Sequence, residues 1–524
     1  MNSVAPSPRS DSEVGNVAAA SWFQRTLNCV ERLGNALPHP ATLFLILAAG
    51  VVLLSWGLSV AGVQVTHPLT GKPVTALNLM SVEGLHRIIL GLLPNFLNFP
   101  PLGPVLVCLL GLSVAEHSGL LGAIVRLVVG LAPGRFLTMI VVFTGAMSHT
   151  AGDIGYVLLI PLSAALFHTV GRHPLVGLAA AFSGVSGGFA ANMLLSPTDV
   201  VLAGLTQDAA RQIDPAYVVS PMANYFFLAA SVVLVTAVGT FVTEFIVEPR
   251  YKVYAGDVKP QPIEPLGPVE RRGLGWAAVA LTALTVFVVL GLWPGGGFLQ
   301  DPAKPGFIGS YFVRGLVFFI FVFGLVPGLA YGIAAGTIRR DTDVYRGMTK
   351  NMEIIAGYLV IVFFIAQFVN LFNWTNLGVI LAVQGAAVLK SLSLGSVPLL
   401  VGLILLTATI NLFLGSASAK WAMFAPIFVP MFMLLGYSPE LTQVTYRVGD
   451  SLTNIITPLS SNFPLVLMFA QRYEPKAGIG TMTATMLPYS LANLVCWTIM
   501  LVGWMLLGWP LGPGSRLFLS GFGQ

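Results

Sequence analysis

Charge is scarce in this 524-residue chain: Lys, Arg, Asp and Glu together make up only 9% of it, against roughly 25% in an ordinary soluble domain. A soluble globular protein is excluded. Hydrophobic residues account for 56% of the chain and mean hydropathy is +0.83. The charges gather in a few short stretches and leave long apolar runs between them, so the chain reads as a polytopic membrane protein. A helix crosses the hydrocarbon in about 20 residues, and this length provides for on the order of ten spanning or half-spanning segments in one membrane domain. Cysteine is just as sparse: Cys29, Cys108 and Cys496 are odd in number and far apart, which argues against a disulfide framework or a CxxC metal site. No HExxH, P-loop or GxSxG occurs, and metalloprotease, nucleotide-driven pump and hydrolase readings lose their carriers. Residues 1–20 lack the apolar core of a removed signal peptide. The net charge of +5 is explained by basic loops beside a membrane rather than by nucleic acid.

What is present is a succession of apolar segments with asymmetric flanks. Residues 1–35 form a tail with Arg9, Arg25 and Arg32, which the positive-inside rule places in the cytoplasm ahead of a first span at Pro40–Val63. Apolar sequence interrupted by Gly and Pro runs from about Leu85 to Gly204, and a clean span follows at Ser220–Val247. A basic loop at 248–272 and a second one with Arg339, Arg340, Arg346 and Lys350 are separated by two crossings and fall on the same, cytoplasmic side. Further spans are expected at Leu274–Trp293, Ser310–Tyr331, Ile354–Phe372 and Thr483–Leu507, with shorter runs at Leu377–Leu389 and Val397–Leu414. The whole reads as a single transmembrane domain over 36–515, with one half at 85–247, another at 354–470, and a C-terminal tail at 516–524.

Polar and helix-breaking residues concentrate in two places inside apolar sequence. The first comprises SHTAGDIGYVLLIP (148–161) and SGVSGGFAANMLLSPTD (183–199); the second comprises GSASAKWAMFAPIFVP (415–430) and RVGDSLTNIITP (447–458). Each has a small polar cluster, an apolar helix with Pro161 or Pro430, and a closing segment from Asn192 to Pro197 or from Asn454 to Pro458, an order that suggests an internal repeat. Non-helical backbone at membrane depth is tolerated only where protein or a water-filled cavity satisfies its N–H and C=O groups. Paired interruptions in two halves therefore point to a secondary transporter that binds substrate and coupling ion near the midplane. The bland alternative, Gly and Pro serving only packing and kinks, fits either region alone.

The same two regions hold the rare charges, each of which costs roughly 2.5–3.5 kcal/mol at bilayer depth on insertion scales and needs a partner. Arg447, Asp450, Asn454 and Pro458 follow at spacings of three and four, one face of a helix. Arg447 suits a substrate carboxylate because its planar fork binds one bidentately; Asp450 orients Arg447 or takes the coupling proton. The alternative is an Arg447–Asp450 pair that merely neutralises itself. Asn411, Ser416, Ser418 and Trp421 precede this face, and Ser418 and Trp421 at i, i+3 can share a space suited to an aromatic ring, against a lipid-interface anchor for Trp421. Lys420, next to Trp421, can hold a carboxylate or snorkel to the surface, and snorkelling is the expectation. Asp199, at the end of the first broken segment with Asn192, is a candidate for proton or cation coupling. Asp153 fits that role or a solvated hairpin tip, His149 fits a proton relay or, beside Gly152 and Asp153, more readily a turn cap, and Glu116-His117 marks a bend or loop between helices.

The stretches NLFLGSASAKWAMFAPIFVP (411–430) and YRVGDSLTNIITPLS (446–460), with GDIGYVLLIPL (152–162), resemble the AbgT family of p-aminobenzoyl-glutamate transporters over all but about the first 30 residues. The resemblance implies an all-α fold of about nine transmembrane helices and two re-entrant hairpins, an inverted repeat with broken helices, and a homodimer in the bacterial inner membrane. It also implies transport of p-aminobenzoyl-glutamate or export of sulfonamide antimetabolites on a proton or sodium gradient, with no cofactor. Site residues carried over by motif are Asn411, Ser418, Trp421, Arg447, Asp450 and Pro458, with Asp199 in the first half. The competing expectations are an importer of di- or tricarboxylates, an intramembrane enzyme using Asp153, Asp199 or Asp450, and a passive channel.

Overall fold

Long apolar runs punctuated by Pro, Gly and capping residues dictate helices whose backbone polar groups are satisfied internally. The computed structural model describes residue 38 and residues 40–519 apart from 68–69, 131–133, 149–154, 252–253, 255, 260–265, 304–305, 351, 458–459 and 461. Helix α1 (Pro40–Val60) leads through an antiparallel ribbon, Gln64–Thr66 with Pro73–Thr75, to α2 (Val82–Leu97), which Ser81 caps by accepting from the Gly84 N–H. Then come α3 (Leu102–His117), α4 (Leu120–Gly130) and α5 (Leu137–Met147). Helix α3 ends at Glu116-His117, where Gly119 takes a positive φ of 89°, so the bend expected there is present. A first hairpin of α6 (Ile160–Thr169) and α7 (Pro174–Phe182) is followed by α8 (Pro197–Ala210) and α9 (Tyr225–Phe241).

The connecting part consists of α10 (Pro268–Gly291), α11 (Leu316–Ala335) and the polar α12 (Asp341–Lys350). The second half contains α13 (Met352–Trp374), α14 (Leu377–Ser391), α15 (Ser396–Asn411), the hairpin α16 (Ala417–Leu434) and α17 (Pro439–Thr453), then α18 (Phe463–Tyr473) and α19 (Ile479–Leu506). Among the described residues eight helices are long and apolar enough to cross a membrane, and nine if the bent pair α4 and Gly134–Met147 counts as one. The span expected at Ser220 starts five residues later, because Ser220–Asn224 form turns. Arg271 and Arg272, expected in a loop, lie in the first turns of α10, where Glu270 accepts from the Gly267 N–H at 2.9 Å and fixes the start. Helices α3 and α11 pack backbone to backbone: a Cβ on Gly324 would lie 2.8 Å from the Gly111 carbonyl carbon, the close approach that small residues give membrane helices.

The two halves repeat without a gap over 26 positions at an offset of 265 residues. Pro161 matches Pro426, Gly171 matches Gly436, Pro174 matches Pro439, Gly184 matches Gly449 and Ser186 matches Ser451. The structure gives the matches one meaning. Each hairpin turns at a glycine with positive φ, 80° at Gly171 and 89° at Gly436. Three residues later a proline opens the second arm behind a side-chain cap, His173 accepting from the Leu175 N–H and Ser438 from the Leu441 N–H. The sequence-level pairing of Pro161 with Pro430 is therefore corrected to Pro161 with Pro426, whose distance to the turn is the same. The C-terminal segment is tied to the second turn: the Ser438 N–H donates to the Leu517 carbonyl at 3.0 Å and the Leu519 N–H to the Gly436 carbonyl at 2.8 Å.

Candidate functional site

The first break follows α7. The chain passes through a π-helical turn, Ser183–Gly187, and unwinds before Pro197 starts α8. Ser196 caps that helix and Asp199 is its third residue, so the carboxylate folds back over its own helix start, where the helix dipole favours negative charge. Its Oδ2 accepts from the Ser196 N–H at 2.7 Å, the Ser196 hydroxyl at 2.8 Å and the Asn192 amide at 2.9 Å. Its Oδ1 accepts from Arg447 Nη1 at 2.6 Å, and both residues are at least 95% buried. Ser451 ties the second half to the first again, its hydroxyl accepting from the Ala190 N–H at 2.9 Å.

The second break lies between α15 and α16, where Ser416 caps α16 by accepting from the Ala419 N–H. One turn in, Lys420 is completely buried and its ammonium contacts the Asp450 carboxylate and the Asn411 side-chain oxygen. The Asn411 amide donates to the Asp450 carbonyl at 2.7 Å, to Thr453 Oγ1 at 2.9 Å and to Asn454 Oδ1 at 2.8 Å. Tyr446 donates to the Ala417 carbonyl at 2.5 Å and lies 3.4 Å from Asp450 Oδ1. Two acids and two cations thus meet in one buried, neutral cluster assembled from both broken units. Removing one member of such a pair leaves a buried charge without compensation, a change that typically costs about 3–5 kcal/mol.

Several expectations change on this geometry. Arg447 pairs with Asp199 across the two halves rather than with Asp450 three residues along its own helix. Asp450 pairs with Lys420, which does not snorkel: its side chain is fully buried and its charge is met inside. The polar stripe on one helix face ends at Asn454, because α17 stops at Thr453. Trp421 is neither a lipid anchor nor an open platform: it is fully buried, stacked 4.5 Å from the Tyr446 ring, and donates to Thr206 Oγ1 at 2.9 Å. Ser418, which was expected to share its space, and Asn454 are half-buried at the break. Pro458, Asp153 and His149 lie outside the described residues.

Tyr446, Thr206 and Ser196 were given no role from the sequence, and Lys420 was given the wrong one. Charge counting offered a signal for Lys420, since Asp199 and Asp450 require two buried cations and Arg447 supplies one. Ser196-x-x-Asp199 has the spacing of a capping box, legible without coordinates. One donor stays open: buried Arg447 Nε has no hydrogen-bond partner among the described residues, an N–H that an incoming acceptor can satisfy.

Broken helices in two matched units, closing a buried ionic cluster inside a multi-pass apolar bundle, define a membrane transporter. The chain belongs to the AbgT putative transporter family, whose model matches residues 25–519. It is 40% identical over 507 residues to the p-aminobenzoyl-glutamate transport protein of Escherichia coli (strain K12), covering 97% of this chain and all of the relative. Among solved structures it resembles the YdaH transporter of Alcanivorax borkumensis, with 44% identity, a TM-score of 0.86, and coverage of 91% of this chain and all of that one. It likewise resembles Neisseria gonorrhoeae MtrF, described within a class of antimetabolite efflux pumps, with 45% identity, a TM-score of 0.88, and coverage of 94% of this chain and all of that one. These relatives are transporters rather than enzymes, and the intramembrane-enzyme alternative falls with them.

Proposed function

We propose that the protein is a secondary transporter of p-aminobenzoyl-glutamate-like aromatic carboxylates, with sulfonamide-type antimetabolites as further substrates, driven by a proton or sodium gradient. The observation that carries this reading is the Asp199–Arg447 ion pair, which spans the two broken units and leaves Arg447 Nε open. A substrate carboxylate takes the open side of the guanidinium while Asp199 and Asp450 are the carboxylates available to a coupling ion. Asn192 belongs to the coupling group through its bond to Asp199; Asn411, Asn454 and Ser418 stand at the second break on the substrate side, and Pro458, outside the described residues, is proposed with them from its motif alone. The Trp421–Tyr446 stack borders the ionic cluster at Asp450 and is the aromatic surface proposed for the p-aminobenzoyl ring. One proton crossing about 100 mV releases about 2.3 kcal/mol, enough for about a fifty-fold concentration ratio. The basic tail and loops fit a bacterial inner-membrane protein with its N-terminus in the cytoplasm, and a homodimer remains the proposed assembly.

The test is flux of labelled p-aminobenzoyl-glutamate and of a sulfonamide into and out of proteoliposomes under imposed pH and Na⁺ gradients. Wild type should move both compounds in a saturable, gradient-dependent way, and Asp199→Ala and Arg447→Ala should each lose most of that flux. Transport of aliphatic di- or tricarboxylates in place of the aromatic compounds would replace this reading with the rival importer.

A further inference from the structure

The proposed function gives Arg447 a substrate carboxylate and leaves one buried cation, Lys420, without a role. We infer that Lys420 is the anchor for a second substrate carboxylate, set free when Asp450 takes up a proton, so that proton and dicarboxylate occupy the site together. This deepens the transporter reading and rests on it.

Lys420 is 0% exposed and contacts Asp450 and Asn411. The titratable and charged groups around Asp450 on the packed elements are few. Helix α17 itself supplies Tyr446 and Arg447, α16 supplies Lys420, and α8 supplies Asp199, which is engaged by Arg447. Helix α15 contributes only the neutral Asn411, and Tyr489 on α19 is turned to Thr243. A proton arriving on Asp450 forms an O–H bond and breaks the ion pair, leaving the ammonium buried without an opposite charge. An incoming carboxylate restores neutrality. While Asp450 is ionised the same carboxylate meets a like charge and an occupied ammonium. Each event therefore favours the other by the same factor.

Geometry supports a dicarboxylate in particular. Arg447 and Asp450 are three residues apart on α17, about 4.5 Å along the helix axis, so a cation held at Asp450 stands one step along from the Arg447 fork. A glutamyl group carries its two carboxylates at a comparable separation. Access is short: the Asn411 amide that covers Lys420 also bonds Thr453 and Asn454, both half-buried at the break.

The experiment counts protons and compares substrates in proteoliposomes. Wild-type protein should take up one more proton per p-aminobenzoyl-glutamate than per p-aminobenzoate, which has a single carboxylate. In the charge-neutral double variant Lys420→Met/Asp450→Asn, the ratio of kcat/KM for the dicarboxylate over the monocarboxylate should fall at least about tenfold, the scale of a lost charged hydrogen bond, and the extra proton should vanish. Lys420→Arg, which keeps the cation, should retain the preference. Equal proton counts in wild type overturn the inference without any variant, and so does an unchanged substrate ratio in the double variant. Wild-type protein that neither binds nor moves either compound fails differently: it removes the proposed function itself, and this inference with it.

Discussion

At the residue scale, the site is governed by which charge answers which. Arg447→Ala leaves the Asp199 carboxylate buried with its Ser196 and Asn192 donors but without a cation. The expected cost is about 3–5 kcal/mol, seen as a lower unfolding temperature in detergent. The neutral double variant Arg447→Met/Asp199→Asn should regain most of that stability while transport stays lost. If the single variant proves as stable as the double, the pair is not the buried charge couple described above. Arg447 and Asp199 lie 248 positions apart, so the rare charges were visible in the sequence but their pairing was not. The nearest acid in sequence, Asp450, was the wrong partner, since helical spacing brings two residues near one another without saying which third residue a fold will insert between them.

At the scale of elements, the first hairpin turn carries its own titration. The turn lies outside the spanning segments, and the His173 ring nitrogen accepts from the Leu175 N–H at 3.2 Å, capping α7. The ring packs against Tyr251 and Tyr254 at 4.8 and 5.4 Å. Burial lowers the His173 pKa below its ordinary value of 6.5; Glu474 opposes this and His168 adds to it. A folded-state value below the unfolded one means the unfolded turn binds the proton more readily. The stabilisation is thus complete above pH 6.5 and is lost as pH falls below it through the folded value, when the ring nitrogen can no longer accept. Hydrogen exchange of Leu175 and Tyr251 should quicken on going from neutral to acidic pH in wild type. His173→Asn, a good cap that does not titrate here, should flatten that response; an equal acid response in both would exclude His173 as its source. The two breaks themselves were legible, because Gly, Pro and small polar residues inside apolar sequence have few other uses. The turns and their matched caps were not, since a His before Pro174 and a Ser before Pro439 look unrelated until both are seen holding the same N–H.

For the molecule as a whole, the two broken units are held beside a layer made of α3, α10 and α11. That layer depends on contact between backbones, with Gly324 and Gly328 of α11 set against Gly111 and Ala115 of α3. Gly324→Leu has no room and should force the two helices apart at a cost of about 1–3 kcal/mol, lowering the unfolding temperature. Because none of the seam residues bonds Asp199 or Lys420, KM for the transported compound should change little; a large KM change with unaltered stability would mean that the layer takes part in binding. The membrane class followed from composition and the number of spans from the family resemblance, whereas this seam required coordinates because glycine serves turns, breaks and close packing alike.

The tether between Leu517, Leu519 and the turn at Gly436–Ser438 has a practical consequence. A bulky fusion partner joined directly behind Gln524 transmits its drag to the second hairpin, so a fluorescent reporter placed there is a brake as well as a label.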